Sequence, residues 1–165
     1  MMHPALLLID IQNDYFPGGK MELEGSEKAV EAAALLLQTF RREKLPVIHI
    51  QHVSTRPGST FFLPDTDGVR FHHTVTPEEG ETVFIKHFPN AFRDTPLKKH
   101  LESMGVSRLV LAGMMTHMCV DTTARAAFDL GFPACSRTMP AQRGRCLLRL
   151  RPSRQSRCNL HTWRR

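Results

Sequence analysis

Three side chains in this sequence have the chemistry and the placement of a nucleophilic site. Asp10 follows the apolar run 5–9, Lys86 follows the run 82–85, and Cys119 follows the run 106–112 across a break at Gly113. A thiol attacks carbonyl carbon. A carboxylate takes the thiol proton and later returns it to a leaving amine, and an ammonium favours the negative charge that develops. Backbone amides at a strand–helix junction hold the oxyanion. The expected reaction is hydrolysis of a C–N bond, amide or carbamoyl, through a thioester on Cys119. Cys119 falls near the start of a helix, where free amides favour an anion, so a lowered thiol pKa is expected, with Lys86 acting in the same direction. Singly, a helical cysteine is most often a small core residue, an aspartate after a strand a turn former, and a lysine a solvated charge. The case rests on all three closing apolar strands.

The elements that must position them alternate. Residues 5–9 are continuously apolar, as in a strand covered on both faces. From Ser26 to Lys44 the apolar residues Ala29, Val30, Ala33, Leu36, Leu37 and Phe40 recur at helical spacing, with Ser26 as the expected cap. Pro46 opens a second strand, residues 47–51. Residues 82–85 read as a third strand and 106–112 as a fourth. A helix opened by Thr95 and Pro96 lies between those two, and another runs from about Met118 to Leu130, stopped by Gly131. Such alternation predicts a three-layer α/β/α Rossmann-like fold with a parallel sheet. Ligands then bind at the carboxyl ends of the strands, where the three residues fall. The irregular segment 54–81, with Phe61, Phe62 and Phe71, is long enough to be functional and is expected to cover the pocket.

The motifs resemble the isochorismatase-like cysteine hydrolases. Leu8-Ile9-Asp10-Ile11-Gln12-Asn13-Asp14-Tyr15-Phe16 is similar to their opening DxQNDF motif. Lys86-His87-Phe88-Pro89-Asn90-Ala91-Phe92, with Thr95 and Leu97, resembles a K…AF…T.L segment. Gly113-Met114-Met115-Thr116-His117-Met118-Cys119-Val120, with Thr123 and Arg125, resembles their G..T..CV..T.R signature. The resemblance covers about residues 5–132. It implies an Asp10–Lys86–Cys119 catalytic triad, a non-proline cis peptide at Met114–Met115, and an oxyanion hole made by the amides of Met115 and Cys119. Phe16, His52, Phe92, Met114 and His117 are the expected pocket walls, and a homo-oligomer is the expected assembly.

Metal-dependent nicotinamidases of that family carry Asp-x-His after the second strand. Here that stretch reads His49-Ile50-Gln51-His52, and His72 and His73 lie further on. Without the Asp, the histidines read as a polar rim, no metal and no cofactor is expected, and the metal-dependent nicotinamidase is kept as an alternative. The cysteine argues for C–N hydrolysis over cleavage of the isochorismate vinyl ether.

Charge divides the chain of 165 residues. Residues 1–132 hold all 16 acidic and 13 of the 22 basic residues, a net of −3, whereas 133–165 hold nine arginines and no acid. The incomplete hydrolase domain is therefore placed at 1–132, and 133–165 is read as an atypical, irregular tail in which the C-terminal strands and helix of the fold are missing or altered. Read two bases later with permissible codons, the tail yields LLAHDA and VPAIEVQSAHLAA, strings similar to the missing segments, so a shifted reading frame is the preferred explanation. An inactive or destabilised relative whose basic tail binds nucleic acid non-specifically is the alternative, with few aromatics to support it. The cysteines form no CxxC pair, and no disulfide framework is expected. No apolar run suits a membrane span and the start lacks a secretion pattern, so a cytoplasmic protein is expected, with a small molecule as its partner and no membrane.

Overall fold

Residues 5–9 are apolar at every position because the strand they form is buried between two layers. The computed structural model describes residues 3–136. Strands β1 (Pro4–Ile9), β2 (Val47–His52), β3 (Thr82–Lys86), β4 (Arg108–Gly113) and β5 (Ala134–Ser136) form one parallel sheet in the order β3-β2-β1-β4-β5. Alternate β1 side chains enter opposite layers, as a period of two requires. Leu6 and Leu8 pack with Val30, Ala33, Leu37 and Phe40 of α1 (Ser26–Arg42). Ala5, Leu7 and Ile9 pack with Leu97 and Leu101 of α2 (Leu97–Ser103) and with Ala127 of α3 (Asp121–Asp129). The expected α/β/α layering is therefore present. No described helix is long and apolar enough to cross a membrane.

Two expectations are corrected. Ser26 does not cap α1. Gly25 occupies the cap with φ 75, a left-handed turn natural to glycine, and Ser26 is buried as the first helical residue. The fold also does not stop at residue 132. Ala134, Cys135 and Ser136 pair with Leu109, Val110 and Leu111. The reversal that makes this possible is built just before them: Gly131 turns at φ 85, the Phe132 N–H donates to the Ala127 carbonyl at 2.8 Å, and the Phe132 ring stacks on Phe92. The arginine-rich residues from 137 onward, and the reading-frame question, lie outside the described residues.

β2 and β3 lie on one side of β1, and β4 lies on the other. The chain thus switches direction between β1 and β4, which opens a crevice at their carboxyl ends. The two strands are drawn close there. The Met114 N–H donates to the Ile9 carbonyl at 3.0 Å, and a Cβ at Gly113 (φ 149) would collide with that same carbonyl. Glycine is required at this point.

Segment 54–81 is held by the polar residues that follow β1. The Gln12 side chain behaves like an extra peptide unit: its Oε1 accepts from the His52 N–H at 2.7 Å, and its Nε2 donates to the carbonyls of His52 at 2.8 Å and Val69 at 2.7 Å. Asn13 donates to the Asp67 carbonyl. The Asp14 carboxylate accepts from the N–H groups of Phe62 at 2.6 Å and Lys20 at 3.1 Å, and Gly68 lies so close that any Cβ would strike it. Phe62 is buried against Tyr15 and Phe61, and Phe71 packs edge-on to His49. The loop aromatics are thus anchors of the segment. At its far end Glu81 receives two N–H groups from Arg41 of α1 and the Nε2 of the fully buried His49 at 2.8 Å.

Two outcomes follow from these clamps. Gln12→Ala takes the side-chain partner from the His52 N–H and carbonyl and one of two donors from the Val69 carbonyl, which keeps Gln51 at 2.9 Å, so the thermal unfolding midpoint should fall, with a loss of about 1–3 kcal/mol. Glu81 is pushed up by burial, but the Arg41 guanidinium, the Glu78 N–H and His49 outweigh that and hold it at about 2. Burial also lowers His49 from its ordinary value of 6.5, in spite of Glu81. Both groups bind more protons unfolded than folded, so each contribution to stability is lost as pH falls. The Glu81 part is complete above the ordinary value of 4.5 and disappears toward about 2. Unfolding midpoints measured across this window should converge for wild type and Glu81→Gln at the acid end and separate above it.

Candidate active site

The site is assembled from four chain segments around one buried ammonium. Asp10 directly follows β1 with φ 53, a left-handed turn that a short polar residue tolerates. Lys86 ends β3. Cys119 lies in a π-helical turn, Thr116–Val120, in which the Val120 N–H reaches the Met115 carbonyl, and that turn runs straight into α3. Single π-turns of this kind are frequent at functional sites. Asp10 and Lys86 have no exposed surface, and Cys119 is buried at 7%.

The Lys86 Nζ lies 2.7 Å from Asp10 Oδ2 and donates to Cys119 Sγ at 3.3 Å, to the Phe88 carbonyl at 3.1 Å and to Nδ1 of His52 at 3.0 Å. The contact with Asp10 is an ion pair off the line of a hydrogen bond, and both carboxylate oxygens are buried without an aligned donor among the described residues. The Lys86 segment is in turn fixed to α3 through the buried Thr123, whose Oγ1 accepts from the Ala91 N–H at 3.1 Å and donates to the Pro89 carbonyl at 3.4 Å. Thr123 stands in the signature, yet its role as a strut between lysine and cysteine segments, like that of the Phe88 carbonyl, is a product of the folded geometry.

The electrostatics reverse one expectation. The Cys119 thiol is pushed up to about 12, first by burial and then by the Asp10 charge, and Lys86 only partly offsets this. A buried thiol beside a carboxylate rests protonated, whatever the helix start contributes. Burial also raises Asp10, and the pull of Lys86 does not cancel it. A carboxyl raised in this way is a stronger base, well matched to a thiol that must lose its proton during attack.

The peptide Met114–Met115 is cis, as the resemblance implied. The Met115 N–H has no backbone acceptor among the described residues. Of the expected pocket walls, His52 contacts the triad through Lys86, and Phe92 packs against the core cluster that includes Cys119. Phe16 is buried and stacks on His72 at 3.9 Å, and Met114 belongs to the same core. Phe92 stacks on Phe132, while His117 is exposed on the π-turn. Met114, Met115 and His117 line a groove of about 310 Å³ against the start of α1, and Asp10, Lys86 and Cys119 are not among its lining residues. Core packing claims these aromatics because sequence position alone does not say which way a ring points.

The histidines do not converge. His49 is committed to Glu81, and His72 and His73 pack against each other beside Phe16. Metal-type donors gather among the described residues at Asp10, His52 and Cys119, within 4.8 Å of one another. The Lys86 ammonium contacts all three, so a cation there would meet a resident positive charge.

The isochorismatase domain model matches residues 4–135. The isochorismatase family protein YddQ of Bacillus subtilis is 51% identical over 131 residues, covering 79% of this chain and 73% of that protein. Maleamate amidohydrolase of Pseudomonas putida is 32% identical over 143 residues, covering 78% of this chain and 67% of that enzyme. The crystal structure of an isochorismatase from Pseudomonas putida KT2440 superposes with a TM-score of 0.74 at 35% identity, over 81% of this chain and 68% of that one. With the parallel sheet and the grouping of Asp10, Lys86 and Cys119 in place, the conclusion is that this chain belongs to the isochorismatase family of hydrolases.

Proposed function

We propose that the protein hydrolyses the C–N bond of a small amide or carbamoyl compound through a thioester on Cys119. The observation that carries this reading is the buried Lys86 ammonium in simultaneous contact with Asp10 and Cys119. Asp10 takes the thiol proton as Sγ attacks the carbonyl carbon. The oxyanion is received by the N–H groups of Met115 and Cys119, and Lys86 balances the negative charge around the sulfur. Protonated Asp10 then gives its proton to the departing amine. Water, deprotonated by Asp10, opens the thioester and restores the thiol. The amidohydrolase among the relatives supports a C–N bond as the target.

Turnover of a panel of small amides and carbamoyl compounds tests this. Asp10→Asn should lower kcat/KM by about 10²–10⁴-fold, the usual contribution of a general base. Cys119→Ala should leave no covalent adduct detectable by mass spectrometry, whereas wild type quenched in acid should carry the acyl mass on Cys119. With Asp10 raised above its ordinary value of 3.8, kcat/KM should climb with pH through that raised value and fall away below it. Full activity in Cys119→Ala would overturn the reading.

A further inference from the structure

The Lys86 ammonium has three protons and four neighbours. Its aligned acceptors are His52 Nδ1 at 3.0 Å, the Phe88 carbonyl at 3.1 Å and Cys119 Sγ at 3.3 Å. The strongest acceptor in reach, the Asp10 carboxylate, lies closest at 2.7 Å and yet receives no aligned hydrogen. A carboxylate that meets its ammonium off the hydrogen-bond line keeps lone pairs for another donor, and the thiol it must deprotonate is the group beside it.

We propose that His52 is a positioning residue: by accepting one Lys86 proton at Nδ1, it keeps the ammonium's donors off Asp10 and leaves that carboxylate free to take the Cys119 proton. This rests on the cysteine-hydrolase reading above and adds a role for a side chain outside the triad. Three features place the imidazole for the task. His52 sits opposite Lys86 in the β2–β3 register. Its backbone is gripped on both sides by Gln12, through the N–H at 2.7 Å and the carbonyl at 2.8 Å. Its ring lies beside the buried Phe62. The charged and titratable groups facing it are Lys86 and His87 from the β3 end, Asp10 from the β1 end and Cys119 from the π-turn. Burial, then the charges of Lys86 and His87, lowers the imidazole to about 4, so it is neutral in ordinary buffers. An imidazole that accepts at Nδ1 carries its proton on Nε2.

The test uses the full chain and needs no identified substrate: iodoacetamide alkylation of Cys119, followed by mass spectrometry across pH. His52→Asn keeps an acceptor near the Nδ1 position, His52→Gln keeps the size but moves the acceptor outward, and His52→Ala removes it. The expected result is alkylation about tenfold slower in His52→Gln and His52→Ala, the scale of one charge-assisted hydrogen bond, with recovery of most of the rate in His52→Asn. The acid limb of the rate profile should also move to lower pH in the two slow variants, because the freed Lys86 proton turns onto Asp10 and stabilises its anion. Where His52→Ala fails to fold, the contrast between Asn and Gln decides alone. Wild-type rates in His52→Gln, or equal slowing in Asn and Gln with an unmoved acid limb, would overturn the proposal and leave the triad intact. Asp10→Asn alkylated as fast as wild type would overturn the triad reading and this proposal with it.

Discussion

A lysine ammonium with no exposed surface is costly to bury, several kcal/mol after relaxation, unless opposite charge and acceptors surround it. Lys86 is such a group, and its compensation comes from four separate stretches of chain: the carboxylate after β1, the imidazole at the end of β2, the Phe88 carbonyl beyond β3 and the sulfur of the π-turn. Each stretch is drawn to one point because the charge cannot be left alone there. The same convergence puts a nucleophile, a base and an electrostatic partner within reach of one another. Compensation of a single buried charge and assembly of the site are thus met by the same contacts.

The polar residues around that point extend backbone hydrogen bonding beyond the regular elements. Gln12 continues the β1–β2 pairing with its side chain, Asp14 ties Phe62 of the irregular segment 54–81 to Lys20 before α1, and Glu81 fastens the end of that segment to Arg41 and His49. Buried backbone groups in a long loop need partners, and here side chains supply them. The adjacent positions Gln12, Asn13 and Asp14 thereby do separate work that a motif string does not distinguish.

Burial also decides how the chemistry can run. A thiol pushed up to about 12 does not wait as a thiolate, so its proton must move as the sulfur attacks, and the base must be ionised and accessible when that happens. This shifts the emphasis from a pre-activated cysteine to Asp10, and from Asp10 to whatever keeps its oxygens available.

The sequence alone determined the layered parallel architecture, because a continuous apolar run such as 5–9 is only stable when both faces are covered, and it marked Asp10, Lys86 and Cys119 because each follows such a run. The match of motif positions also carried the cis bond at Met114–Met115. What the tertiary structure alone decided is direction and environment. Phe16, Phe92 and Met114 turn into packing, and His117 lies on the outer surface of the π-turn. Gly25 stands where Ser26 was expected, and β5 forms beyond residue 132, after the anchored Phe132. The thiol rises where a helix start argued for lowering it, since desolvation beside a carboxylate outweighs a helix dipole. These properties depend on which groups exclude water from which others, and that is settled only when distant segments close around the same lysine.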